Sequence, residues 1–215
     1  MAIITIRGTL GSGAPEIGKL IADRLHIDYI DREIIAQVAE QIQRPKQDIA
    51  AKEMPSGSLL GRISEALERN AYYRASAYLP TWEIPLEDTQ YLPALESVIK
   101  DIARSGSIVI RGRGSQFILK DLPRALHVLM VAPLDFRVKR IMENSKIEES
   151  EVRKMIQRFD SSRRMFTKRY FHAVLEDPIN YDLVINTEHL SFEHATSIII
   201  GALSFKDKNS FTQKE

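Results

Sequence analysis

The chain has 215 residues, 44% of them hydrophobic, with no cysteine and a formal charge of +1. That length and apolar content suit one domain with small subdomains around a sizeable core. The lack of cysteine excludes disulfides, thiolate metal sites and cysteine nucleophiles, and the near-neutral charge argues against a protein that coats nucleic acid over its whole surface. Charged residues interrupt every apolar run, and MAIITIRG enters a strand pattern without signal-peptide regions. A cytoplasmic protein without a membrane partner is therefore expected.

Ile3–Ile6 reads as a buried strand, and a glycine-rich turn follows. Against the phosphate-loop pattern G-x-x-x-x-G-K-[ST], Gly8 and Gly13 fit, with Gly11 and Ser12 between them. Ala14 stands at the lysine position and Pro15 at the hydroxyl position. Backbone amides at such a turn and at the helix start would face an anion, and the helix dipole favours negative charge there. An ordinary strand–helix turn accounts for the same residues without a ligand. The next helix shows an apolar face of Ile17, Leu20, Ile21 and Leu25, and Lys19 reads as a surface residue.

A short strand, Asp28–Ile30, leads into Asp31 and Arg32. These two can hold a polar acceptor molecule, and Asp31 can equally cap the amphipathic helix marked by Ile34, Ile35, Val38 and Ile42. Residues 32–105 contain no convincing strand and read as helices broken near Pro45, Pro55 and Pro80, the last one bearing Leu95, Val98, Ile99 and Ile102 on one face. The strand Ile108–Ile110 runs into Arg111-Gly112-Arg113-Gly114-Ser115. Core contacts explain two arginines at a strand end poorly, whereas guanidinium forks match phosphate geometry. A plain surface turn is the competing account.

Leu126–Val131 is the fourth strand. Residues 145–175 read as a charged helix with Val152, Met155, Ile156 and Phe159 on its inner face. From Arg153 to Phe171 there are seven basic residues and one acid, Asp160, a local charge of +6. Three readings stay open: a lid whose Arg163 and Arg164 stabilise a transferring phosphoryl group, a solvated helix face, and an RNA-binding patch interleaved with Phe166, Tyr170 and Phe171. The strand Asp182–Ile185 precedes Asn186 and Thr187, and a polar tail is expected over 206–215 beyond a single domain of residues 1–205. The five histidines show no metal-ligand spacing, and no strand ends in an acid placed to hold magnesium. Alternation of buried strands and helices predicts a three-layer α/β fold with ligands at the carboxyl ends of parallel strands.

In order and spacing, GSGAPEIGKLIADRL (11–25), YIDREII (29–35), IVIRGRGSQFIL (108–119), HVLMVAPLDFRVKRI (127–141), DSSRRMFTKRYF (160–171) and DPINYDLVINTEHLSFE (177–193) resemble the cytidylate kinase-like family of P-loop proteins. The resemblance implies a P-loop NTPase fold, its five-stranded sheet in the order 2-3-1-4-5. It implies an acceptor region at 32–105 and a lid at 145–175. It places Gly8, Gly11, Ser12, Gly13 and Ala14 in the phosphate loop, and Asp31, Arg32, Arg111 and Arg113 at the acceptor. Arg113 and Arg163 would contact phosphates, Asp160 would hold a lid arginine or the acceptor sugar, Arg164 would add charge, and Asn186 and Thr187 would lie near the donor base. The implied reaction moves the γ-phosphoryl of ATP, with Mg²⁺, to a nucleoside monophosphate or another small acceptor. Cytidylate kinases carry lysine where this chain has Ala14, and aspartate where it has Gly114. A non-catalytic nucleotide-binding protein and an RNA-associated protein remain the alternatives.

Overall fold

The computed structural model describes residues 1–31, 91–145 and 147–209. Arg32, the helix expected from Ile34 and the breaks at Pro45, Pro55 and Pro80 lie outside the described residues. The strands are β1 (Ile3–Gly8), β2 (Asp28–Ile30), β3 (Ile108–Arg111), β4 (Ala125–Val131) and β5 (Leu183–Asn186). They form one parallel sheet in the order β2-β3-β1-β4-β5, as expected from the sequence.

The ladder reaches further than the apolar runs suggest, because pairing depends on backbone rather than on side chains. Arg111 pairs with Ile6, and Gly8 with Met130, so two residues read as loop belong to the sheet. At β5 the shift is reversed. Asp182 stands just outside the strand and accepts the His127 amide at 2.7 Å through its side chain, closing the ladder there.

The helices are α1 (Ala14–Leu25), α2 (Tyr91–Ser105), α3 (Ser115–Ile118), α4 (Leu134–Glu143), α5 (Glu149–Phe171) and α6 (Phe192–Asn209). Side chains of a strand alternate between faces. Ile3 joins Ile110, Ala125, Leu95, Ile99 and Phe166 on the α2 face. Ile4 and Ile6 join Val109, Val128, Ile17, Ile21 and Ile199 on the face of α1 and α6. The same alternation sends Arg7 to the face of Ile3 and Thr5, where apolar residues would be the ordinary choice.

The segment read as a lid contains one long helix, and that helix is packed along its length. Val152, Met155, Ile156 and Phe159 of α5 bury against Leu10, Val138 and Ile141. Near its end, Phe171 stacks on Phe117 with ring centres 5.0 Å apart, and Phe166 enters the α2-side core. The polar tail expected from Lys206 begins inside α6, which continues to Asn209. Among the described residues, no helix is long and apolar enough to cross a membrane.

His127 provides a test of this core. Its Nδ1 lies 2.8 Å from Oγ1 of Thr5, and burial holds its pKa below the usual imidazole value. The folded protein therefore resists protonating it, while the unfolded chain takes up a proton below about pH 6.5. Stability should fall as pH drops through that window. Urea unfolding of His127→Gln between about pH 7.5 and 5 should show a shallower fall than the wild type.

Candidate functional site

The loop between β1 and α1 is built from glycine conformations. Gly11 and Gly13 adopt φ of 84° and 85°, a region that side chains disfavour. The Thr9 amide donates to the Met130 carbonyl at 3.2 Å, and the Ser12 amide to the Thr9 carbonyl at 3.0 Å. At Gly13 there is no room for a side chain: an added Cβ would lie 2.3 Å from the Phe192 ring. α1 begins at Ala14, so its first amides point out of the helix end towards the loop. Pro15 removes one of those amides as well as the usual hydroxyl. The hydroxyls of Thr9 and Ser12 are buried without a hydrogen-bond partner among the described residues.

Neighbouring elements fix this loop by its carbonyls. Arg137 of α4 donates from Nη1 to the Leu10 carbonyl at 3.1 Å and from Nε to the Ala132 carbonyl at 3.0 Å. Nη1 of Arg137 also donates to Oδ2 of Asp160 at 2.8 Å, and Oδ1 of Asp160 accepts the Leu10 amide at 3.2 Å. Arg140, one turn further along α4, donates to the carbonyls of Gly11 (3.0 Å) and Thr187 (3.2 Å). Its guanidinium lies against the rings of Phe136 and Phe192. The Thr187 hydroxyl donates to the Ser12 carbonyl at 2.8 Å. Three successive carbonyls, those of residues 10 to 12, are thus drawn onto donors outside the loop. Asp160 and Thr187, expected at the site, are there as braces. Arg137 and Arg140 were not singled out from the sequence.

A second cationic feature lies on the α5 side of the sheet. Gly112, Arg113 and Gly114 take positive φ in succession, at 76°, 59° and 71°. For Arg113 that conformation costs about 1 kcal/mol. Gly114 is required by space, since a Cβ there would lie 2.2 Å from the Phe171 ring. The turn directs Arg113 into a small pocket lined also by Arg7, Gln116, Arg163, Phe166 and Thr167. Arg163 stacks over Phe159 at 4.0 Å. Arg7 is buried, and its Nε has no acceptor among the described residues. Burial lowers its pKa to about 10, so it stays charged at neutral pH. Three guanidinium groups line this pocket.

The remaining expected residues fall elsewhere. Arg111 pairs with Asp31 at 2.5 Å, both nearly buried, which joins the ends of β2 and β3. Arg164 is exposed and pairs with Glu176 at 2.7 Å, outside the cavity lining. Asn186 is exposed and accepts the Glu188 amide in a local turn. The positive charge of α5 does not form one patch, because Arg153 is engaged by Asp135 and Glu149, and Arg164 by Glu176. Beside the loop, burial raises the pKa of Glu16, against the opposing fields of Arg111, Arg140 and Lys19. Among the described residues no group of three or more His, Cys, Asp or Glu could hold a metal.

Residues 3–189 match the model of the cytidylate kinase-like family, and the chain belongs to that family. It is 27% identical to a cytidylate kinase of Sulfolobus acidocaldarius over 96% of this chain and 97% of that protein. Among solved structures it resembles an uncharacterised protein from Eubacterium ventriosum, with a TM-score of 0.68, 22% identity, and coverage of 95% and 99% of the two chains. It also resembles a gluconokinase from Sinorhizobium meliloti, with a TM-score of 0.54, 15% identity, and coverage of 100% and 98%. The three-layer architecture is that of the P-loop kinases.

The Asp160–Arg137 pair yields a stability test. Asp160→Ala leaves a buried guanidinium without its carboxylate and should destabilise the protein by about 3 kcal/mol. Pairing it with Arg137→Met should recover part of that loss, giving a non-additive double-mutant cycle in urea unfolding.

Proposed function

We propose that this member of the cytidylate kinase-like family transfers the γ-phosphoryl of ATP to a nucleoside monophosphate or a chemically similar small acceptor. One observation carries the reading: α5 joins the two anion-adapted features, with Asp160 on the phosphate loop and Arg163 in the arginine-lined cavity one helical turn away. A donor phosphate in the loop and an acceptor beside the cavity would then be aligned by the same rigid element. Positioning and charge neutralisation supply most of the catalysis in such transfers.

The loop suits the ATP phosphates. It offers glycine backbone, the first amides of α1 and the unpartnered hydroxyls of Thr9 and Ser12. Arg113 and Arg163 serve as phosphate contacts, while Asp160, Thr187, Arg137 and Arg140 hold the loop in shape. Gly8, Gly11, Gly13 and Ala14 form the cradle, and Asp31 with Arg111 orders the acceptor side together with Arg32. Arg164 adds charge at the outer face of α5, and Asn186 borders the loop near Thr187. In this reading residues 32–105 belong to the acceptor region, residues 145–175 to the lid, and residues 1–205 to one kinase-like domain. The described residues fit a protein-held Mg²⁺ poorly: position 15 has no hydroxyl, and Asp31 and Asp160 are engaged by Arg111 and Arg137.

Ala14 and Pro15 favour a second reading, a nucleotide-binding protein that does not turn over. The two separate in one assay. The purified chain is incubated with ATP, Mg²⁺ and a panel of nucleoside monophosphates, and product formation is followed. Turnover is expected with at least one acceptor, and Arg163→Met should lower kcat/KM by about 100-fold without changing the circular dichroism. A rise in Tm with ATP but no product from any acceptor would replace the kinase with the binding protein.

A further inference from the structure

We infer that α6 is a dimerisation helix: its outer face packs antiparallel against α6 of a second copy of this chain, and the two helices cross at Gly201. The inference stands apart from the kinase reading and involves none of the residues of that site.

The inner face of α6 belongs to the core, where Ala195, Ile199 and Leu203 are buried. The outer face carries His194, Ile198, Gly201 and Phe205, at spacings of four, three and four residues. Such spacing lines side chains up along one seam between two helices. Ile198 is 45% exposed and Phe205 67%, so the seam presents two large apolar side chains to solvent.

Gly201 sits between them. A glycine inside a helix costs stability, and the usual return is close approach of another backbone. Its own backbone is ordinary helix, without a positive φ. A Cβ built there would meet no atom within 4 Å among the described residues. The folded monomer thus gives this glycine no task, whereas a second helix laid across it needs the missing side chain.

A two-fold axis through Gly201 fixes the register. Residue 197 of one copy then lies level with residue 205 of the other, so the partner's Phe205 meets Ser197, whose small side chain leaves room for the ring. Arg24 of α1 donates from Nη1 to the Ser197 hydroxyl at 2.9 Å, which sets an exposed guanidinium where that ring arrives. Arg24 also comes to the carboxyl end of the partner's α6, where the helix dipole favours a cation. Parallel packing would instead set Arg24 against the partner's Arg24 and Glu193 against the partner's Glu193. A face of four helical turns is smaller than a standard interface, so the dimer is weak and reversible, with a Kd of about 1–100 μM.

The test is sedimentation velocity on the full chain between about 1 and about 500 μM. The mass should rise from one chain to two across that range. Phe205→Asp should raise Kd by at least about 30-fold with circular dichroism unchanged. Gly201→Leu should raise Tm yet weaken the dimer by a similar factor, because the side chain favours the helix and fills the crossing point. The chain has no cysteine, so single-cysteine variants are clean probes. Mild oxidation of Gly201→Cys should give a disulfide-linked dimer. His194→Cys should give none, because the two copies of residue 194 lie about 20 Å apart in the antiparallel pair. A monomer at every concentration would overturn the inference, whether another part of the chain, a different protein or nothing covers this face. A dimer that survives Phe205→Asp would overturn the assignment to α6, and cross-linking through His194→Cys would overturn the antiparallel register.

Discussion

The buried contact of Asp160 with Arg137 and the backbone of Leu10 organises the whole carboxyl edge of the sheet. A loop with two left-handed glycines has little intrinsic preference for one shape. It becomes rigid only if its polar groups are claimed from outside. Asp160 takes the Leu10 amide while Arg137 takes the Leu10 carbonyl, so one residue of the loop is held through both of its backbone groups. The ion pair that does this is almost fully out of water, where each charge needs the other. α4 and α5 are thereby fixed to the loop, and Arg140 and Thr187 extend the same arrangement to Gly11, Ser12 and the end of β5. The apolar contacts of Leu10 with Ile141, Val152 and Phe159 lie beneath these bonds and keep water from competing for them.

Seen this way, the arginines divide into two groups with different physical roles. Arg111, Arg137 and Arg140 are satisfied by carboxylates or carbonyls and hold backbone in place. Arg7, Arg113 and Arg163 border one pocket on the α5 side, and Arg113 does so from a left-handed backbone conformation.

Much of this architecture was legible in the sequence because it follows from periodicity. Runs rich in isoleucine and valine marked four of the five strands, the short Asp28–Ile30 being the fifth, and Leu95, Val98, Ile99 and Ile102 marked the buried face of α2. Gly8, Gly11 and Gly13 marked the loop because few other uses require glycines at that spacing after a strand. The braces were harder to see. Arg137 and Arg140 sit in a helix with Lys139 and Glu143, and nothing in a one-dimensional pattern separates an arginine that reaches a carbonyl in another element from one that faces water. Arg7 was missed because the apolar run ends at Ile6, whereas β1 continues to Gly8 and carries Arg7 inside the sheet. The pairing of Arg164 with Glu176 was not legible either, because charge density along a chain says nothing about which acids lie nearby. Helix α6 runs past Lys206 to Asn209, because backbone hydrogen bonds need no apolar side chains to continue.

The substitutions at positions 14 and 15 have a consequence for where charge sits during any transfer. In a lysine-bearing loop, cationic charge lies on the donor side, wrapped around the phosphates that leave. Here the loop itself contributes backbone dipoles and two hydroxyls, and the arginines nearest to it, Arg137 and Arg140, are already bonded to its carbonyls. The concentrated positive charge lies instead in the cavity of Arg7, Arg113 and Arg163. On the proposed reading, donor phosphates would be held weakly and the acceptor phosphate strongly. Neutralisation of the transferring group would then come from the acceptor side and from α5. Such an arrangement lowers affinity for the donor more than it lowers the ability to stabilise charge at the point of transfer, since only interactions that strengthen in the transition state accelerate the chemical step. The missing lysine, taken alone, therefore argues about nucleotide affinity before it argues about catalysis.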